Sequence, residues 1–141
     1  MDANLVTRLR SAAREVLPAE PVVVAYLFGS RAAGRPRSDS DTDVAVLLDH
    51  PLAPADRRDL LLRLAEAFEP AAGTEVDLVV LDDAPLPLRG RVLRDAVVLW
   101  SADEPRRVRY ESLTRRMAAD HALAFDRLDQ MLLAETAAGR R

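Results

Sequence analysis

Two aspartates one residue apart, Asp41 and Asp43, open the apolar run Val44-Ala-Val-Leu-Leu48 and follow Gly29-Ser30 after ten residues. Residues i and i+2 of a strand point to the same face, so this spacing presents two carboxylates side by side. Like charges held that close repel, and the usual remedies are protonation or a bound cation. A third acid, Asp77, interrupts the apolar stretch Thr74-Glu-Val-Asp-Leu-Val-Val-Leu81, with Glu75 as a neighbouring but less favoured candidate. Gly29 permits close backbone approach, while the Ser30 hydroxyl and amides at a helix start can hold phosphate oxygens. Arg31, Arg35 and Arg37 add positive charge to the same loop. Taken alone, Ser38-Asp-Ser-Asp-Thr-Asp43 reads as a solvated turn, with Asp39 a loop acid. With Gly29-Ser30 before it and Asp77 after it, the stretch suggests a site for a metal and a polyphosphate.

Transfer of a phosphoryl or nucleotidyl group needs a held polyphosphate, an aimed oxygen and neutralised charge. Two Mg²⁺ ions about 3.5–4 Å apart supply the last two, and Mg²⁺ takes carboxylate and phosphate oxygens. Asp41, Asp43 and Asp77 are therefore the expected ligands, with Asp77 also able to receive the proton of an attacking hydroxyl.

The elements that must position these residues follow from periodicity. Leu5, Leu9, Ala12 and Val16 predict a helix over residues 3–16, ended by Pro18 and Pro21. Val22 to Phe28 reads as a buried strand, Ser30 as the cap of a short helix ending near Gly34, and Asp43 to Leu48 as a second strand. Pro54 begins a helix with Leu60, Leu61, Leu64 and Phe68 on one side, closed by Gly73. Thr74 to Leu81 is a third strand, with Glu75, Asp77 and Val79 on one face. A short helix over residues 88–94 and a strand over residues 96–100 follow. A last helix, residues 105–138, carries the stripe Leu113, Met117, His121, Phe125, Leu128 and Leu132, expected to be shared between core and a partner. Tyr26 and Trp100 are expected in the core, His50 in a turn, His121 in packing, and Tyr110 as a cap or partner contact. The whole predicts one domain over residues 1–141, of α/β (α+β) class: a small mixed β-sheet packed by helices.

Composition sets limits on the chemistry. All 20 basic residues of the 141 are Arg, so neither Schiff-base lysine chemistry nor a P-loop lysine is available. The absence of Cys excludes disulfides, thiol catalysis and zinc–thiolate sites. A net charge of −3 argues against binding bulk nucleic acid. No apolar run is long enough for a membrane span, which predicts a soluble, cytoplasmic protein.

In motif order over roughly residues 1–100, the chain resembles the nucleotidyltransferase superfamily related to DNA polymerase β. Phe28-Gly-Ser-Arg-Ala-Ala-Gly34, Ser40-Asp-Thr-Asp-Val-Ala-Val46 and Val76-Asp77-Leu-Val79 are similar to the minimal nucleotidyltransferases within it (MNT or MntA-like proteins). That resemblance implies a polymerase-β-like fold, two Mg²⁺ and ATP as substrate, with Gly29, Ser30, Arg31 and Ser40 on the nucleotide. It also implies a partner, a HEPN-domain RNase toxin (HepT-like) encoded beside the antitoxin, which receives AMP on a tyrosine. The alternatives are a small-molecule nucleotidyltransferase of the aminoglycoside-modifying kind, an antitoxin acting by binding alone, and a nucleotide sensor.

Overall fold

The β-branched run after Pro21 forms strand β1, Val22–Phe28, in the computed structural model, which describes residues 3–29 and 42–137. Helix α1, Ala3–Val16, precedes it and buries Leu5, Val6, Leu9 and Ala13. Strand β2 is Thr42–Leu48, helix α2 Pro54–Ala72 and strand β3 Val76–Val80. Helix α3, Leu86–Arg94, strand β4, Val97–Ser101, and helix α4, Glu104–Ala137, complete the order. The short helix expected from Ser30 to Gly34 lies outside the described residues.

Strand order is β3-β2-β1-β4. β1 is antiparallel to both β2 and β4, whereas β2 and β3 are parallel and joined through α2. Alternation sorts the side chains onto two faces. Val44, Val46, Val76 and Val80 meet Leu9, Leu60, Leu64 and Phe68 of α1 and α2 on one face. Tyr26, Ala45 and Leu47 meet Val92 and Leu93 of α3 on the other. Tyr26 and Trp100 join the core as expected.

Several boundaries differ from the sequence reading: β2 and α4 start one residue earlier, β4 shifts by one, and β3 begins at Val76 and not Thr74. β3 stops at Val80 because Leu81–Asp83 forms a 3-10 turn, held by the Asp82 carboxylate accepting from Leu48 N–H (2.9 Å). Arg89 donates to the Ala84 and Asp82 carbonyls, fixing the same turn. α3 starts two residues earlier than expected, since prolines fit a first turn whose N–H groups have no helical partner.

The larger correction concerns α4. Its inward side is Tyr110, Glu111, Thr114, Ala118 and His121, while Leu113 and Met117 of the expected apolar stripe are 48% and 46% exposed. Close helix approach explains the choice. A Cβ at Gly90 of α3 would lie 2.6 Å from the Ala118 Cβ, so α3 and α4 meet where both residues are small. Tyr110, which the sequence assigned to a cap or a partner contact, instead packs half-buried on the second core cluster. The helix is capped by Asp103, whose carboxylate accepts from Arg106 N–H (3.1 Å). Beyond His121 the side chains of residues 122–134 are all exposed, including Leu123, Phe125, Leu128 and Met131. A helix of 34 residues is about 50 Å long, and strands of five to seven residues cannot cover it.

A polar network ties α4 to the sheet. Buried Tyr26 donates to the Glu111 carboxylate (2.8 Å), which also accepts from Arg107 (2.8 Å) and Arg115 (3.3 Å). Burial, and then the Glu111 carboxylate, push the Tyr26 phenol well above its ordinary value. A raised folded-state value means this contribution is fully present below about pH 10, the unfolded value, and is lost as pH rises further. Tyr26→Phe removes a hydrogen bond to a charged group, and the expected cost is about 1.5–3 kcal/mol. Urea unfolding at pH 7.5 and pH 10.5 checks both statements: the gap between wild type and variant should narrow at the higher pH.

Candidate active site

β1 ends where Gly29 turns the chain at φ +80°, a left-handed conformation that side chains disfavour. A Cβ at this position would collide with Oδ2 of Asp43, so the Gly29 backbone lies directly against that carboxylate. The sequence singled out Gly29 for backbone approach to a polyphosphate; the structure shows its backbone against the Asp43 carboxylate.

The sheet register brings the acids together. Phe28 pairs with Asp43 across β1 and β2, and Asp43 pairs with Asp77 across β2 and β3. Asp43 shares its face with Ala45 and Leu47, and Asp77 shares its own with Val79; all three apolar residues pack on the cluster beneath α3. Directly paired residues on neighbouring strands lie roughly 5 Å apart, so Asp43 and Asp77 stand side by side at one register level. Asp43 is half-buried and Asp77 exposed, on the sheet's edge strand. Asp77 is thus both the edge-strand acid of the plain reading and the register partner of Asp43. Glu75 lies one residue before β3, and its carbonyl accepts from Thr42 N–H (3.1 Å).

Sequence reasoning passed over Thr42. It is fully buried between the two acid positions, and its hydroxyl meets that of Thr74 at 3.1 Å. This contact, with the Thr42 amide on Glu75, pins the start of β2 to the start of β3 and so fixes the register of Asp43 on Asp77. The signal was available: in Asp-x-Asp the middle residue must face the opposite side of the sheet.

Ser30, Arg31, Ser40 and Asp41 lie outside the described residues, as do Arg35 and Arg37. Among the described residues no three acids or histidines gather as a metal site. What is in place is a pair of carboxylates at one register level with a glycine backbone against one of them. Such an all-oxygen donor set suits a hard cation such as Mg²⁺. His121 packs on Phe125, ring centroids 4.6 Å apart, and His50 sits in a turn, its Nδ1 3.1 Å from the Pro51 carbonyl.

The chain belongs to the polymerase-β nucleotidyltransferase family, whose model (Polymerase beta, Nucleotidyltransferase) matches residues 13–105. It is 33% identical over 104 residues, 72% of each chain, to the protein adenylyltransferase MntA of Shewanella oneidensis (strain MR-1). Its fold is similar to that of a chain in a toxin–antitoxin crystal structure with AMP-PNP (TM-score 0.62, 23% identity, 94% of this chain and 98% of that one). It is similar also to a chain in the complex of tri-AMPylated Shewanella oneidensis HEPN toxin with MNT antitoxin (TM-score 0.59, 22% identity, 97% and 99%). At these identities the structural likenesses carry the fold: a small mixed sheet, helices on both faces and a long C-terminal helix. No helix among the described residues is long and apolar enough to cross a membrane.

Proposed function

We propose that this chain is a protein adenylyltransferase and the antitoxin of a HEPN/MNT pair, transferring AMP from ATP to a tyrosine of its HEPN RNase toxin. The observation that carries the reading is the register pairing of Asp43 with Asp77 beside the Gly29 backbone. The 33% identity to MntA gives the class of acceptor.

Asp41, Asp43 and Asp77 are the residues that would hold two Mg²⁺ ions. When bound, these ions neutralise the charge that develops on the transferring phosphate. Gly29 allows the backbone to close on the triphosphate, the Ser30 hydroxyl binds a phosphate oxygen, and Arg31 and Ser40 complete the nucleotide contacts. The acceptor oxygen forms a bond to the α-phosphorus of ATP, and the bond from that phosphorus to the bridging oxygen of the β-phosphate breaks. Pyrophosphate leaves, and the hydroxyl proton passes to the Asp77 carboxylate, which lies exposed where a protein acceptor can reach it.

The exposed outer half of α4 supports a large partner, since contiguous apolar surface marks an interaction site. Phe125→Asp with Leu128→Asp is expected to lower the affinity for the HEPN protein at least tenfold, measured by calorimetry, while leaving the Mg-ATP melting shift intact. The same surface supports a second reading, neutralisation by binding alone. Transfer of α-phosphate-labelled ATP, with Mg²⁺, into a co-expressed HEPN partner separates the two. Label on a partner tyrosine supports the first; no label with the toxin still neutralised supports the second.

A further inference from the structure

The two edges of the sheet are treated differently. On β4, both Nε and Nη2 of Arg10 donate to the Val98 carbonyl at 3.1 Å, filling an acceptor at that edge. On β3, the Glu69 carboxylate accepts from Val76 N–H (3.1 Å) at one end, the Arg57–Asp83 ion pair (2.9 Å) lies at the other, and among the described residues no side chain bonds the backbone of Leu78 between them. Thr42 N–H bonds to the Glu75 carbonyl, so residues 75, 77 and 79 turn their backbone groups toward β2. Residues 76, 78 and 80 therefore turn theirs to the open side, and the N–H and C=O of Leu78 stand at the edge one residue beyond Asp77.

Two shallow grooves of about 360 and 370 Å³ run along this edge and share Arg57, Leu61 and Leu78. One is walled by Leu62 and Ala65 of α2, the other by Val79, Pro85 and Leu88. Leu62 is 61% exposed, an apolar side chain on the solvent side of an otherwise amphipathic helix. Among the described residues, a strand edge bordered by the first groove on the α2 face and by the second, which wraps from Leu61 of α2 round to Leu88 of α3, is receptor geometry for an added strand, with pockets for its alternate side chains.

From this we infer that the acceptor protein docks an extended, hydroxyl-bearing segment as a fifth strand on β3, presenting its hydroxyl residue at the register of Asp77. The inference rests on the proposed transfer to a protein acceptor. It supplies what that reading lacks, a means of aiming the hydroxyl. A residue on the added strand opposite Asp77 and on the same face lies roughly 5 Å away between Cα atoms, and a tyrosine there reaches the carboxylates. Arg58, exposed on the rim of the first groove, favours an acidic residue beside the acceptor.

Hydrogen exchange of the full chain, alone and with its co-expressed HEPN partner, tests the docking directly. The amides of Leu78 and Val80 should be slowed at least tenfold in the complex. Two variants read the consequence in label transfer. Leu62→Glu should raise KM for the HEPN protein at least tenfold, with kcat and the Mg-ATP melting shift unchanged. Leu78→Pro removes an N–H that serves no ladder bond and some packing against the core, so it should lose stability but still fold and bind Mg-ATP, and lose transfer. Label transfer with no slowing of Leu78 and Val80 would overturn the inference while leaving the adenylyltransferase reading standing. Slowing in the isolated chain that grows with its concentration would also overturn it, by assigning the edge to a second copy. Slowing on partner addition without any label would sustain the docked strand and remove the transfer reading instead.

Discussion

Asp41→Asn combined with Asp43→Asn is expected to lower AMP transfer at least about 10³-fold, equivalent to roughly 4 kcal/mol of transition-state stabilisation. The amide side chains keep the size of the carboxylates and lose their charge, so the fold persists while cation affinity does not. Asp43 stands at one register level with Asp77. Neutralising it leaves a single acid among the described residues at that level. The same loss is visible without turnover. Mg-ATP should raise the melting temperature of the wild type, because a ligand bound only by the folded state stabilises it, and the double variant should show no rise. An undiminished rise would place the nucleotide site elsewhere in the molecule.

Gly29→Ala is expected to reduce transfer about 100-fold and to destabilise the chain by roughly 1–2 kcal/mol. Two costs act at one atom. The φ of +80° places any L side chain in the left-handed region, and the added methyl falls on the Asp43 carboxylate. Either the β1 end or Asp43 must move, and misplacement by about 1 Å of a reacting group is enough for the rate loss. Melting temperature and kcat should fall together. Ala12→Gly on α1, a helix-propensity cost of roughly 1 kcal/mol on a half-buried residue away from the acids, supplies the comparison. If it lowered kcat as much as Gly29→Ala, the rate loss would belong to stability and not to the site.

Much of the fold was legible because local rules and tertiary packing agree. The runs after Pro21 and Pro54 form β1 and α2 at the expected residues, since β-branched and leucine periodicities match the faces they bury. β3 ended early because the Asp82 carboxylate just after it accepts from Leu48 N–H, a partner 34 residues away in the sequence. Propensity does not contain such a contact. α4 was legible as a helix and misread as to its face. Its apolar stripe promised burial through Leu113 and Met117, but Gly90 and Ala118 allowed a closer approach on a face of small and polar residues.

The sequence by itself supplied the residue types and spacing on which the proposed chemistry rests: two spaced aspartates, a later strand acid and a glycine, in a chain whose only cationic side chains are arginine and histidine. Spacing of i and i+2 already implies a shared face, because the strand period is fixed by covalent geometry. The tertiary structure decided that β3 lies parallel beside β2 and in which register, and therefore that Asp77 pairs with Asp43 and not Asp49. It also decided which sheet edge stays open and which helix face stays bare among the described residues. Pairing, register and edges are relations between distant segments, set by the Thr42–Thr74 clamp and by helix packing, and no local pattern encodes them.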